Sequence, residues 1–523
     1  MSSQWWRHAS IYQVYPRSYA DANGDGIGDL AGVRARLGHL RDLGIDAIWF
    51  SPWYPSPMAD AGYDVADYRD IDPMFGTLEE ARLLIDEAHQ LGIRSIVDVV
   101  PNHCSEQHEW FQQALGARLG SPARDRFWFR AGRGPLPPND WQSIFGGPAW
   151  TRLPDGQWYL HLFAREQPDF NWNHPEVRAE FADILRFWFD LGVDGIRIDS
   201  AAMCVKDPDL SEIKDGEQHP YVDQDGTHEI YRAWRAIADS YAEPRALIGE
   251  VWLADSERFA RYLRPDEMHT AFNFDFLGCP WDAKALRRVI DDTLASHAAV
   301  GAPSTWVLSN HDVTRHVTRY GREDTAFEFA LRGARHAVFS DQELGTRRAR
   351  AAALLTMSLP GSVYVYQGEE RGLPEVEALP DSVRDDPMFT RSNGSDPGRD
   401  GCRIPLPWTV DGPSFGFGPT AATWLPQPAN WGSYAVDGPD SVLSLYRRAL
   451  RLRRAIEGPM TWLEAPANVL AFARGDLVCV INLSDAAVPL PAGEIILSSA
   501  GTGVVDELAP DAAVWIRTLD SEA

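Results

Sequence analysis

Short β-rich runs alternate with amphipathic runs of helical period along most of this chain, and a glycine precedes the new strands. IYQVYP (11–16) is followed by LAGVRARLGHLRDLG (30–44), AIWFSP (47–52) by TLEEARLLIDEAHQLG (77–92), and RSIVDVVPNH (94–103) follows directly. This is the pattern of βαβ units in a parallel sheet. It breaks over residues 104 to 171, which are rich in proline, glycine and aromatics, and resumes with FADILRFWFDLG (181–192), GIRIDS (195–200), ALIGEVW, TAFNFDF, STWVLSNHD and SVYVYQGEE. Counted from IYQVYP these are eight strands, and eight βα units closed on themselves make a (β/α)8 TIM barrel, an α/β fold whose function collects at the C-terminal strand ends. An open doubly wound sheet is the alternative, but no GxGxxG follows the first strand.

The reading divides the chain into a barrel over 1–103 and 172–457, an inserted irregular domain over 104–171 after the third strand, and a C-terminal antiparallel β domain over 458–523. The last is signalled by VLAFARG, LVCVINL and AVWIRTL after the helix-like run DSVLSLYRRALRLRRAIEG. At 523 residues the chain is long enough to bury a sizeable core. Acidic residues outnumber basic ones by 75 to 49, a net charge of −26, which opposes binding to nucleic acid or an anionic membrane and favours a neutral or cationic ligand. The N-terminus lacks the basic and apolar regions of a signal peptide, and no run approaches the length of a membrane span. Five cysteines without CxxC spacing (Cys104, Cys204, Cys279, Cys402 and Cys479) fit reduced thiols and a cytoplasmic location, and argue against zinc.

Within GIRIDS the alternation puts Ile196 and Ile198 on one side of a strand and Arg197 and Asp199 on the other. An arginine two residues before an aspartate favours the ionised carboxylate that a nucleophile requires. A structural Arg/Asp pair at a strand end is the alternative. Two more carboxylates end later strands, Glu250 in ALIGE and Asp312 in SNHD. Each alone is an ordinary surface acid; together, at equivalent ends of one barrel, they converge on one cleft. Cleavage of a glycosidic bond needs such a set, with two carboxyls about 5 to 5.5 Å apart for retention or about 6.5 to 9.5 Å apart for inversion.

DVVPNH (98–103), GIRIDS, GEVW (249–252) and SNHD (309–312), in this order, resemble the four motif regions of the α-amylase superfamily, glycoside hydrolase family 13. The resemblance implies Asp199 as nucleophile, Glu250 as general acid/base, Asp312 as stabiliser of the distorted sugar, and a retaining mechanism. It implies that His103 and His311 hydrogen-bond the sugar beside the cleaved bond. ADAGYDVADY (59–68) resembles the segment in which an aspartate and a tyrosine, here Asp60 and Tyr63, hold the non-reducing glucose, which favours exo-action. QPDFNW (167–172) resembles a motif of the α-glucosidase and oligo-1,6-glucosidase subfamily, with Gln167, Phe163 and Phe145 lining the pocket. DGCRIP resembles an arginine-containing segment near the +1 subsite, which nominates Arg403; Arg197 is the electrostatic partner of Asp199. Ser200, beside the nucleophile, implies a preference for α-1,4 over α-1,6 links.

The implied enzyme is an exo-acting α-glucosidase on maltose and short α-1,4-glucosides, with transglucosylation. The alternatives are oligo-1,6-glucosidase action, or sucrose-isomerase or trehalose-synthase transfer at the same site, and an inactive amylase-like accessory protein. The expected partners are small oligosaccharides. No organic cofactor is expected. The loop DANGDGIGD (21–29) offers oxygen donors at Asp21, Asn23, Asp25 and Asp29, but its twelfth position is Gly32 rather than the Glu of an EF-hand. Similar loops in the oligo-1,6-glucosidase group bind Ca²⁺ or Mg²⁺, with a backbone carbonyl at the position of Ile27; an Asx-rich turn capping the next helix is the competing reading.

Overall fold

The computed structural model describes residues 4–214, 216–501, 503 and 506–518. Met1–Ser3 of the N-terminal segment that lacks signal-peptide character, Asp215 of the acidic loop after GIRIDS, and the last residues of the C-terminal domain lie outside them.

Eight strands form one sheet: β1 (Ser10–Val14), β2 (Ala47–Phe50), β3 (Arg94–Val99), then β7 (Gly195–Ile198), β8 (Ala246–Gly249), β9 (Thr270–Ala271), β10 (Thr305–Val307) and β11 (Ser362–Tyr366). The neighbour order is β10-β11-β1-β2-β3-β7-β8-β9, and every paired step is parallel. Across the remaining seam the Thr305 hydroxyl donates to the Ala271 carbonyl, so the sheet curls into the expected barrel. The period of two separates two cores. Ile11, Trp49, Ile96, Ile248, Val307 and Tyr364 pack together, while their neighbours Tyr12, Ile48, Val97, Ile196, Leu247 and Val363 belong to the larger core with the helices. Arg197 therefore faces inward, directly opposite Asp98 of β3.

The helices form for local reasons. Leu78–Gln90 starts on a capping box, with Thr77 and Glu80 each accepting the other's backbone N–H, and buries Ala81, Leu84, Ile85 and Ala88. Pro175–Asp190 begins with proline at a first-turn position, where its missing N–H costs nothing, and buries Val177, Phe181, Ile184, Leu185, Trp188 and Phe189. Gly192, at φ 109°, then turns the chain into β7, a conformation strained for any side chain. The run 30–44 forms two helices rather than one, Leu30–Ala35 and Leu37–Leu43, because Arg36 leaves helical geometry.

Between β3 and β7 the chain forms two short helices and an antiparallel sheet of β4 (Phe129–Ala131), β5 (Trp150–Arg152) and β6 (Gln157–Leu160), with β6 central. After the helix Val442–Arg453 comes a five-stranded antiparallel sheet. It contains β12 (Met460–Trp462), β13 (Val469–Arg474), β14 (Leu477–Asn482), β16 (Glu494–Ser498) and β18 (Ala512–Arg517), with β15 (Val488–Pro489) and β17 (Glu507–Leu508) paired beside it. This sheet docks on the helix Gln342–Ser358, where Trp515 Nε1 donates to the Leu354 carbonyl. All five cysteines are buried and free. Among the described residues no helix is long and apolar enough to cross a membrane.

Candidate active site

The C-terminal ends of the barrel strands carry two arginine hubs. In the first, Arg197 on β7 donates from one nitrogen to Asp199 Oδ1 at 2.7 Å and to Asp98 Oδ1 at 2.9 Å, and its other terminal nitrogen lies 2.8 Å from Glu250 Oε2. Ser200 ties the same pair from the opposite direction: its N–H donates to Glu250 Oε2 and its hydroxyl to Asp199 Oδ2, both at 2.9 Å. Ser200 manages both contacts because the chain turns sharply after β7, leaving it at φ 45° in the left-handed region.

Arg197 favours the ionised form of Asp199 as expected, by its charge and its hydrogen bond, but it does so against two larger effects. Burial and the neighbouring Glu250 carboxylate push the Asp199 carboxyl well up, and the single guanidinium charge, shared among three carboxylates, does not offset them. Burial likewise raises Asp98 to about 7 against the pull of Arg197. The hub thus favours retaining a proton among its carboxyls.

The second hub was not foreseen. Arg399, on the loop after β11, donates to Asp60 Oδ1 at 2.6 Å, Asp312 Oδ1 at 3.0 Å and Asp386 Oδ2 at 2.5 Å. Arg403, four residues later, donates to Asp312 Oδ1 at 3.1 Å and to the His311 carbonyl at 2.9 Å. The structure buries Arg403 against Asp312 and the His311 carbonyl, and Arg399 is the residue that bridges Asp60, Asp312 and Asp386. Burial alone would raise Asp312 and Asp386. At Asp312 the neighbouring His311, then Arg399 and Arg403, outweigh it and hold the carboxyl well below the usual carboxylate range; at Asp386 Arg399 and Arg403 hold it at about 2.

His311 joins the hubs. Its Nε2 is 2.7 Å from the Tyr63 hydroxyl and 3.4 Å from Asp312 Oδ2, and Tyr63 donates on to Asp98 Oδ2 at 3.1 Å. The Tyr63 and His311 rings stack at 7°. Gln13 and Asp98, neither singled out beforehand, complete this row, with Gln13 Nε2 2.7 Å from His311 Nδ1. Gln167 donates to Asp60 Oδ2 at 3.1 Å and lies 3.0 Å from His103 Nε2. Phe163 packs on His103 with ring centroids 4.8 Å apart, Phe145 packs on Phe163, and the Arg399 guanidinium lies 5.3 Å from the Phe145 ring. Burial drives His103 and His311 down to about 3, so both are neutral at ordinary pH.

The loop 21–29 lies apart from these residues. Asp21 accepts from the N–H of Gly24 and Gly26, Asn23 from Asp25, Asp25 from Ile27, and Asp29 from Ala22 and Asn23. Asp29 also caps the helix Leu30–Ala35. These are Asx turns and a cap, the competing reading. The carboxylate oxygens of Asp21 and Asp25 each accept one bond and keep a second lone pair, whereas Asp29 Oδ2 already accepts two, so the hard-oxygen donor set suits Ca²⁺ or Mg²⁺ chiefly through Asp21, Asn23 and Asp25. Among the described residues no three His, Cys, Asp or Glu side chains converge as metal ligands.

A family model described as the alpha amylase catalytic domain matches residues 13–458, and a domain of unknown function, DUF3459, matches residues 429–515. The chain belongs to the α-amylase family of glycoside hydrolases. It is 37% identical to a probable alpha-glucosidase of Rhizobium meliloti (strain 1021), over 92% of this chain and 90% of that protein. It is 32% identical to an oligo-1,6-glucosidase of Parageobacillus thermoglucosidasius, over 87% of this chain and 84% of that one. Among solved structures, the alpha-glucosyl transfer enzyme XgtA superposes with a TM-score of 0.84 at 34% identity, covering 98% of this chain and 99% of that chain. The chain's chemistry is accordingly that of a glucosidase or a glucosyl-transfer enzyme.

Proposed function

We propose that the protein is a retaining, exo-acting α-glucosidase that releases α-glucose from the non-reducing end of maltose and short α-1,4-glucosides. The observation that carries this reading is the double bridging of Asp199 and Glu250. Adjacent nitrogens of one guanidinium and the two donors of one serine hold both carboxyls, which supports the short separation of a retaining pair. Asp199 attacks C1 as the bond from C1 to the leaving oxygen breaks, and the proton of Glu250 passes to that oxygen. Glu250 then takes a proton from water, whose oxygen attacks C1 and releases Asp199 with the original configuration. We read Asp312 and Asp60, kept in place by Arg399, as acceptors of sugar hydroxyls, with the Arg399–Asp60 pair at the non-reducing glucose, the arrangement exo-action requires.

Maltose, isomaltose, sucrose and trehalose, followed by NMR, test the reading. We expect α-glucose as the first anomer and a higher kcat/KM for maltose than for isomaltose. Initial β-glucose overturns retention, and an isomaltose preference overturns the linkage assignment. The likeness to XgtA favours a second outcome of the same intermediate, in which an alcohol replaces water; glucosides formed in the presence of added alcohol report it. We also propose that the 21–29 loop holds a structural Ca²⁺ or Mg²⁺ through Asp21, Asn23, Asp25, the Ile27 carbonyl and Asp29.

A further inference from the structure

The two oxygens of Glu250 are not equivalent. Oε2 accepts from the Ser200 N–H at 2.9 Å and lies 2.8 Å from Arg197, whereas Oε1 accepts from the indole N–H of Trp252 at 3.0 Å. A proton on Oε2 would compete with a guanidinium and an amide donor; on Oε1 it leaves a second lone pair for the indole. Oε1 is therefore the oxygen that delivers the proton, and Trp252 sets its direction.

The indole is itself held. It stacks on Phe274 with centroids 3.5 Å apart and planes 8° from parallel, and Phe329 meets it edge-on at 4.8 Å. Phe274 leans in turn on Phe272, in the strand-lined core beneath. Yet Trp252 stays 38% exposed, one of the few large hydrophobic side chains at the surface, beside a buried carboxyl. Burial of its ring does not account for that placement; an N–H fixed on the acid does.

We propose that Trp252 is a positioning residue for proton delivery: its indole N–H, clamped by Phe274 and Phe329, holds Glu250 Oε1 in line with the leaving oxygen. The inference rests on the reading of Glu250 as the acid. It requires that losing the N–H harm the step that needs a proton and spare the step that does not.

The test uses the full chain and kcat/KM, which reports cleavage of the first bond, on maltose, phenyl α-glucoside and 4-nitrophenyl α-glucoside. Trp252→Phe keeps the stacked face and removes the N–H; Trp252→Ala removes both. For Trp252→Phe we expect about a tenfold loss on maltose and phenyl α-glucoside, whose leaving groups need the proton, and less than about twofold on 4-nitrophenyl α-glucoside. An equal loss on all three substrates, or none, overturns the proposal. Thermal unfolding of both variants accompanies the kinetics; if Trp252→Ala does not fold, Trp252→Phe decides alone. Glu250→Gln is run on the same series. If its loss is not graded by leaving group, the acid is another residue, and the reading of Glu250 falls together with the role of Trp252. If its loss is graded and that of Trp252→Phe is not, the role of Trp252 alone falls.

Discussion

Two arginines each gather three carboxylates at the mouth of this barrel, yet the two clusters are electrically opposite. Arg197 meets Asp98, Asp199 and Glu250 alone, and two of these are pushed up: Asp199 well above its ordinary value and Asp98 to about 7. Arg399 meets Asp60, Asp312 and Asp386 with Arg403 behind it, and Asp312 and Asp386 are pulled down. Asp60 remains raised, because burial outweighs Arg399 there. At Asp386 the second guanidinium adds to the first, and at Asp312 His311 adds to both. A hub short of positive charge retains a proton and suits acid–base work; a hub with enough of it stays ionised and suits the gripping of hydroxyls.

The sharpest way to break the contrast is Asp199→Asn. Loss of the proposed nucleophile should lower kcat by about 10⁴-fold or more. Removal of a buried charge that burial and Glu250 both oppose should leave Tm unchanged or raise it. A large fall in Tm would show that the first hub is not strained by excess negative charge.

Arg399→Met attacks the other side. It strands the buried Asp60 and leaves Asp312 and Asp386 to Arg403 alone, so stability should fall by about 3–5 kcal/mol. The loss in kcat/KM should appear chiefly in KM, because the residue orients hydroxyl-binding groups. Chemical unfolding and steady-state kinetics check both, and a loss confined to kcat would move Arg399 into the chemistry.

Ser200 gives a smaller, graded effect. Ser200→Ala removes the hydroxyl from Asp199 and should cost about tenfold in kcat. Ser200→Val loses the same bond and places a β-branched residue at φ 45°, adding about 1–2 kcal/mol of strain. It should therefore be slower and less stable than Ser200→Ala, while its ratio of isomaltose to maltose activity rises. A ratio that does not rise removes residue 200 from linkage choice.

The histidines that link the hubs provide a pH test. His103 and His311 titrate near 3 in the folded chain, whereas an unfolded histidine takes its proton near 6.5. The folded state thus binds fewer protons between these values, so each contributes stability that is present above about pH 6.5 and is lost as the pH falls toward 3, at about 1.4 kcal/mol per unit. His311→Asn should flatten the fall of Tm between pH 6.5 and 4; an unchanged slope would mean that this imidazole is protonated in the fold. The smallest expected effect concerns the 21–29 loop, where chelation should lower Tm by about 2–4 °C if an ion is bound. No shift leaves the Asx turns as the whole structure of that loop.

Much of the first hub was legible because it lies on regular structure. Arg197 and Asp199 share a strand face by the period of two, and Glu250 ends a neighbouring strand, so a correct strand register brings them together. Asp98 stands in DVVPNH, but its pairing opposite Arg197 needed the order of β3 and β7. The second hub was less legible. Asp60, Asp386 and Arg399 come from irregular loops whose residues carry no period, and Arg403 drew the assignment because it stands in the more familiar segment. The division of charge within each hub had no signal in the chain at all, since it depends on distances among residues up to 339 positions apart.

The sequence by itself determined the eight-unit barrel, the inserted and C-terminal segments, and the family, because strand and helix periods and short motifs are local properties of the chain. Tertiary structure alone decided that Ser200 grips both carboxyls, that Arg399 rather than Arg403 spans Asp60 and Asp312, and that Trp252 points its N–H at Glu250. The first two join separate loops and are fixed by how the barrel closes; the third spans only two residues, but its direction is fixed by Phe274 and Phe329 from elsewhere in the chain, and the electrostatic balance of a buried site is the sum of such contacts.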